Sequence, residues 1–94
     1  MRIVNLGVLV QFSAGHADVR TALDAFVAEV AAAEWNGPQD VKARYPSASL
    51  LSENRIVFNV KGNKYRLEVK VNYPTRVVLI KRIGTHGEYS KWDF

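Results

Sequence analysis

Arg55-Ile56-Val57-Phe58-Asn59-Val60-Lys61-Gly62-Asn63-Lys64-Tyr65-Arg66-Leu67-Glu68-Val69-Lys70 is the stretch whose reading decides how this chain folds. Two runs of alternating apolar and polar residues flank Gly62-Asn63, a dipeptide suited to a tight hairpin turn. With that pair as the loop, strands run from Arg55 to Lys61 and from Lys64 to Tyr73. Ile56, Phe58 and Val60 then oppose Val69, Leu67 and Tyr65 on one face, because successive side chains point to opposite sides. The other face pairs Arg55 with Lys70, Val57 with Glu68, Asn59 with Arg66 and Lys61 with Lys64. One face is thus uniformly apolar and the other strongly cationic.

Downstream, Tyr73-Pro74-Thr75-Arg76 makes a second turn and Val77 to Ile83 a third strand. A two-residue loop at Pro74-Thr75 puts Lys81 opposite Glu68, and places Val78 and Ile80 on the apolar face. Gly84 ends the strand and leaves a polar tail from Thr85 to Phe94, too short and irregular for a packed helix. Upstream, Arg2 to Asn5 suits a short opening strand, and Leu6 to Ala14 a short helix ended by Gly15. Asp18 reads as the N-cap of a second helix, whose Val19, Leu23, Phe26, Val30 and Ala33 recur at helical spacing and form a core stripe. Asn36-Gly37-Pro38 stops it, Asp40 to Tyr45 makes one or two turns, and Ser47 to Glu53 is a polar connection anchored by two leucines. Trp35 and Tyr45 read as packing residues. The fold class expected is α+β: a short N-terminal strand and helices packed on one face of a twisted antiparallel sheet.

Ninety-four residues make one domain, residues 1–94. The absence of cysteine excludes disulfides, thiolate nucleophiles and cysteine-based zinc sites. The apolar run Leu6 to Val10 is too short for a signal peptide or a membrane span, so a cytoplasmic protein with no membrane partner is expected. The net charge is +4, but it is unevenly placed. Residues 1–53 hold four basic and six acidic residues, a balance of −2; residues 54–94 hold nine and three, a balance of +6. Such asymmetry points to a polyanionic partner for the second half, with a merely solubilised surface as the competing reading.

The sheet face carrying Arg55, Lys61, Lys64, Arg66 and Lys70 sets like charges opposite one another, which disfavours pairing unless an anion binds there. Phosphate suits it, because arginine forks match phosphate oxygens. A solvated hairpin face remains the alternative. Thr85-His86-Gly87-Glu88-Tyr89 follows the third strand and can bring a histidine and a tyrosine to its rim. Cutting RNA needs a base for the ribose 2′-hydroxyl, cations for the charge on phosphorus and an acid for the departing 5′-oxygen. In the tail, His86 alone has an ordinary pKa suited to a proton role near neutrality, and Tyr89 can stack on a base or hold a phosphate. For His86 the alternative is a turn residue bonded to backbone. His16 has no Cys, His or carboxylate at ligand spacing, so no metal site is expected, and no glycine-rich phosphate loop implies a cofactor.

Three segments carry a resemblance. Pro38-Gln39-Asp40-Val41-Lys42 followed by Tyr45-Pro46-Ser47-Ala48-Ser49, then Asn54 through Leu67, then Ile83-Gly84-Thr85-His86-Gly87-Glu88-Tyr89 resemble the linker, the most distinctive stretch and the closing motif of HigB-type toxins of the RelE-like superfamily. They span over half the chain in the right order; residues 1–35 match more loosely, through Leu9, Phe12, His16, Asp18, Leu23 and Trp35. The resemblance implies a RelE-like fold and a toxin of a type II toxin–antitoxin module, an endoribonuclease that cuts mRNA on the ribosome without metal. It also implies as partners the ribosome, mRNA and a cognate antitoxin of the HigA-like helix-turn-helix kind, with operator DNA met only through the antitoxin complex. Carried onto this chain, the catalytic candidates are Arg66, His86, Lys61, Lys64 and Tyr89, with Arg66 on the transition state, His86 in proton transfer and Tyr89 positioning substrate. Arg55, Lys70, Lys81, Arg82 and Lys91 are the RNA-contact candidates. Arg66 and His86 are both expected at the surface. A non-catalytic nucleic-acid-binding module, or a degenerate toxin acting only in its antitoxin complex, are the alternatives. The chain departs from the family in its apolar first helix (Leu6, Gly7, Val8, Val10), in Ser90 where relatives often carry aspartate, and in Trp92-Asp93-Phe94. If the helix residues face solvent, they form a patch suited to an antitoxin or a second toxin copy.

Overall fold

The hairpin forms in the expected register. In the computed structural model, which describes residues 1–92, β3 (Arg55–Val60) and β4 (Tyr65–Asn72) pair antiparallel, with Arg55 opposite Lys70, Phe58 opposite Leu67 and Val60 opposite Tyr65. The strands stop one residue short of the turn on each side. Lys61 and Gly62 take left-handed backbone (φ 54° and 67°), and the Lys64 amide donates to the Lys61 carbonyl over 3.3 Å. Glycine adopts this conformation without cost and lysine does so with some strain. The ladder therefore ends at Val60–Tyr65, and Lys61 and Lys64 leave the sheet instead of facing each other across it.

Five strands make one sheet in the order β1-β5-β4-β3-β2. β5 (Val77–Thr85) runs antiparallel to β4. β1 (Arg2–Val4) joins the far edge of β5 parallel, so the sheet is antiparallel except at that edge. β2 (Ser49–Leu50) pairs with β3 inside what reads in sequence as a polar connection, and its Leu50 is exposed rather than an anchor. The register of β4 and β5 starts as expected, Asn72 opposite Val77 and Val69 opposite Ile80, but slips at a bulge between Glu68 and Val69. Beyond it Glu68 faces Arg82, not Lys81. A bulge adds one residue to one strand and re-aims those that follow. β5 also runs through Gly84 to Thr85, so Gly84 does not end it.

Helices cover the apolar face. α1 (Gly7–Gly15) and α2 (Arg20–Ala32) are separated by a 3₁₀ turn over Ala17–Val19. From α2 and that turn, Val19, Leu23, Phe26 and Val30 are buried, and Ala33 is partly so. They pack on Ile56, Phe58, Leu67, Val69, Val78 and Ile80, all essentially without exposure. α3 (Pro38–Arg44) begins with proline in its first turn, where the missing N–H costs nothing. Phe26, Trp35, Tyr45 and Phe58 form an aromatic cluster with ring centres 4.9–6.3 Å apart. Burial raises the Tyr45 hydroxyl pKa above its ordinary value, with the Arg44 charge opposing, and the hydroxyl donates to Glu29 over 3.0 Å.

A fourth helix, α4 (His86–Tyr89), stands where an irregular tail is expected. A capping box makes so short a turn possible: the Thr85 hydroxyl accepts from the Glu88 amide at 3.2 Å, and the Glu88 carboxylate accepts from the Thr85 amide at 2.8 Å. These bonds hold the Glu88 carboxyl below the usual carboxylate range. Among the described residues no helix is long and apolar enough to cross a membrane.

Candidate nucleic-acid interface

The sheet face away from α1 and α2 carries Arg55, Arg66 and Lys70, as the hairpin register assigns them, but α4 and Trp92 fold back over part of that face. Arg66 lies opposite Gly84, and its guanidinium carbon sits 5.3 Å from the centre of the Tyr89 ring. One of its nitrogens donates to the Asn63 carbonyl at 2.9 Å. Arg66 is only 9% exposed, so it is not the open surface residue expected from sequence. Next along the face, Arg82 stands 4.4 Å from the Trp92 ring centre, and the Tyr89 and Trp92 rings meet edge to face at 5.4 Å. Such contacts preorganise a guanidinium while leaving its charge intact. Gly84 makes the room: a Cβ there would lie 3.0 Å from Trp92 Cζ2 and 3.2 Å from Glu88 Cβ.

Glu68, 2% exposed, is the acid on this face. It accepts from Arg82 Nε at 2.6 Å and pairs with Arg55 at 3.8 Å. A buried carboxylate requires such partners, and in exchange it fixes where two arginines point. Around it Arg55, Lys70, Lys81 and Arg82, with Glu53, line a shallow recess of about 360 Å³. Four of the five RNA-contact candidates thus share one depression; alternation places Lys81 there, and the bulge brings Arg82 onto the same face. Lys91 is exposed on the tail.

His86 is exposed, and its amide donates to the Lys64 carbonyl at 3.0 Å. That bond, with Tyr65 opposite Thr85 and Arg66 opposite Gly84, brings His86, Arg66 and Tyr89 to one corner of the sheet. Lys61 and Lys64 are at the same corner but turned toward the helix layer. Their ammonium groups reach Asp18 Oδ2 at 3.2 and 2.6 Å, and the Tyr65 hydroxyl donates to Asp18 Oδ1 at 2.7 Å. Asp18 therefore does not cap α2, which has no side-chain cap. Its hydrogen bonds, that from Lys64 the strongest, hold its carboxyl far below the usual range, and Asp18 in turn raises the Lys64 ammonium and the Tyr65 hydroxyl above theirs. His16 stacks on Phe12 with ring centres 4.0 Å apart, and its Nδ1 lies 3.1 Å from the Phe12 carbonyl. Among the described residues no three His, Cys, Asp or Glu side chains group as metal ligands.

The HigB toxin family, described as the RelE-like toxic component of a toxin–antitoxin system, matches residues 19–92, well over half of the chain. The chain belongs to the HigB toxin family. The match runs from the start of the core stripe through the hairpin and α4 to Trp92, so β3, β4, β5 and α4 all lie within it, while Asp18 precedes it by one residue. The mixed helix-and-sheet architecture is that of a RelE-like toxin, and membership implies an antitoxin partner. No curated protein matches the chain.

Sequence reasoning anticipated that Arg55, Arg66 and Lys70 of the hairpin share one face and that His86 and Tyr89 lie at its rim. It missed Glu68 as the hub of the recess, Asp18 as the partner of both turn lysines, and the cover over Arg66. Gly84 was the available signal for the cover, since a glycine inside a strand often marks a close approach.

Proposed function

We propose that this HigB-family toxin is an endoribonuclease that cuts mRNA on the ribosome, in the cytoplasm, without a metal ion. The observation that carries the reading is the convergence of Arg66, His86 and Tyr89 at one corner of the sheet, beside a recess holding Arg55, Lys70, Lys81 and Arg82. The ribose 2′-oxygen attacks the adjacent phosphorus, the bond from phosphorus to the 5′-oxygen breaks, and a cyclic phosphate and a 5′-hydroxyl result. One proton leaves the 2′-oxygen and one reaches the 5′-oxygen. His86 carries one of these transfers, Arg66 bears on the phosphorane-like transition state with Lys61 or Lys64 beside it, and Tyr89 positions the substrate. The recess cations and Lys91 hold flanking phosphates.

The antitoxin, of the HigA-like helix-turn-helix kind, takes the other side of the molecule, and operator DNA is met through it. Leu6, Leu9, Val10, Leu23 and Val27 line an apolar groove of about 520 Å³ between α1 and α2. Val10 there is 68% exposed and Leu6 41%, and Arg20 and Asp24 on the rim offer an opposite-charge pair for a polar-edged helix.

The test is expression in bacteria with and without the neighbouring gene product, together with purified protein on translating ribosomes. The expected result is growth arrest and mRNA cut inside translated codons, abolished in His86→Ala. Tight RNA binding with no cut ends, or cleavage undiminished in His86→Ala, sinks the reading. The first outcome would leave a nucleic-acid-binding module in its place.

A further inference from the structure

Asp18 lies in the helix layer, yet among the described residues every polar contact of its carboxylate is to the hairpin on the other layer, more than 40 residues away in sequence. Oδ2 receives Lys64 Nζ at 2.6 Å, Lys61 Nζ at 3.2 Å and the Tyr65 hydroxyl at 3.0 Å; Oδ1 receives that hydroxyl at 2.7 Å; and the Asp18 carbonyl receives Lys61 Nζ at 3.1 Å. Two ammonium groups on one carboxylate oxygen would repel each other without it. The left-handed Lys61 backbone is what swings the first of them off the sheet toward Asp18. Lys64, held by its side chain to Asp18, holds α4 by its main chain, through the carbonyl that accepts the His86 amide. The chain of contacts runs from Asp18 to Lys64 to His86.

We infer that Asp18 is a positioning residue of the RNA-cutting corner: it gathers Lys61, Lys64 and Tyr65 and sets the turn on which α4 and His86 rest. The inference builds on the nuclease reading, and it makes a prediction whose sign separates it from simple electrostatics. Removing a carboxylate raises the positive charge of this corner and by field alone favours RNA. As a positioning residue, Asp18 has the opposite effect on cleavage. Its removal frees two lysines and loosens the seat of His86, and misplacement of catalytic groups by about 1 Å costs on the order of 10²-fold in rate.

The experiment uses Asp18→Asn, which keeps an acceptor for the Tyr65 hydroxyl and removes the charge that holds the lysines. On translating ribosomes, kcat for mRNA cleavage should fall about 10-fold to 100-fold, while affinity for a short single-stranded RNA stays unchanged or tightens. Added to a Lys61→Met, Lys64→Met protein, the substitution should bring no further loss, because it acts through those side chains. Undiminished cleavage by Asp18→Asn, or losses that multiply in the triple variant, overturn the inference. A second readout needs no RNA: the backbone amide signals of Lys64 and His86 should shift in Asp18→Asn. If the wild-type protein cuts no RNA, the nuclease reading falls. If those amides stay in place, the positioning inference falls by itself. Should Asp18→Asn fail to fold, Lys64→Met breaks the same clamp from the other side and is read by the same His86 amide.

Discussion

Arg66 combines two properties that usually exclude each other: it is almost fully covered, and it keeps its charge among the cations of the sheet face. The Asn63 carbonyl and the Tyr89 ring make that possible, one by accepting an N–H and the other by lying against the planar group. A lysine offers neither a plane nor a fork. Arg66→Lys should therefore lower the cleavage rate by about 10² to 10³-fold, the usual cost of one preorganised donor, with overall charge unchanged. Single-turnover cleavage measures it, and a loss under threefold would remove Arg66 from the transition state. Gly84 is the counterpart on the neighbouring strand. Gly84→Ala sets a methyl 3.0 Å from the Trp92 ring, which must give way, so the Arg82–Trp92 contact should loosen and the protein lose about 1–3 kcal/mol. Denaturant unfolding reads the loss, and near-ultraviolet circular dichroism reads the ring.

Among the elements, α4 owes its existence to two hydrogen bonds. Four residues cannot sustain a helix by propensity, because nucleation is unfavourable. Thr85→Ala removes one arm of the capping box at about 1 kcal/mol, and hydrogen exchange at Glu88 and Tyr89 should quicken while β3 and β4 stay protected. Unaltered exchange at those amides would mean that Trp92, rather than the box, holds α4. This element also marks where the sequence stopped being informative. The β3–β4 register and the Val19-Leu23-Phe26-Val30 stripe were legible because burial on one face leaves a period that can be read residue by residue. The bulge opposite Glu68 was not, although Lys81-Arg82 interrupts the alternation of β5, because an adjacent pair of cations is equally compatible with the strand's ending there. Nor was the parallel docking of β1, a three-residue segment whose partner lies over 70 positions away. The site was legible as residue types, whereas its cover and its turned lysines depended on contacts between layers. For α1, Val10→Asp should weaken antitoxin binding at least tenfold, by calorimetry, and leave cleavage intact. Equal affinity would put the partner elsewhere.

The molecule as a whole has two chemically different sides: an apolar groove among helices, and a cationic sheet joined at one corner to the helix layer by Asp18. Since the folded protein holds the Asp18 carboxyl below its ordinary pKa of 3.8, the stabilisation from the clamp is complete above that pH. It declines as the pH falls from there through the folded-state value, below which both forms of the chain carry the proton. Melting temperatures of wild type and Asp18→Asn should differ by a constant amount above about pH 5, and the difference should shrink steadily as the pH falls below 4; a gap at pH 2.5 as large as that at pH 5 would refute this origin. On the other side, RNA affinity should fall steeply with added salt, since each phosphate contact releases counterions, and Lys70→Ala should flatten that slope by about one unit. The path of the chain has a practical corollary for anyone fusing a reporter or purification handle to this protein. Trp92 rests on Arg82 at the cationic sheet face, whereas Met1 precedes β1 at the opposite edge of the sheet from β2, so a handle before Met1 starts away from that contact.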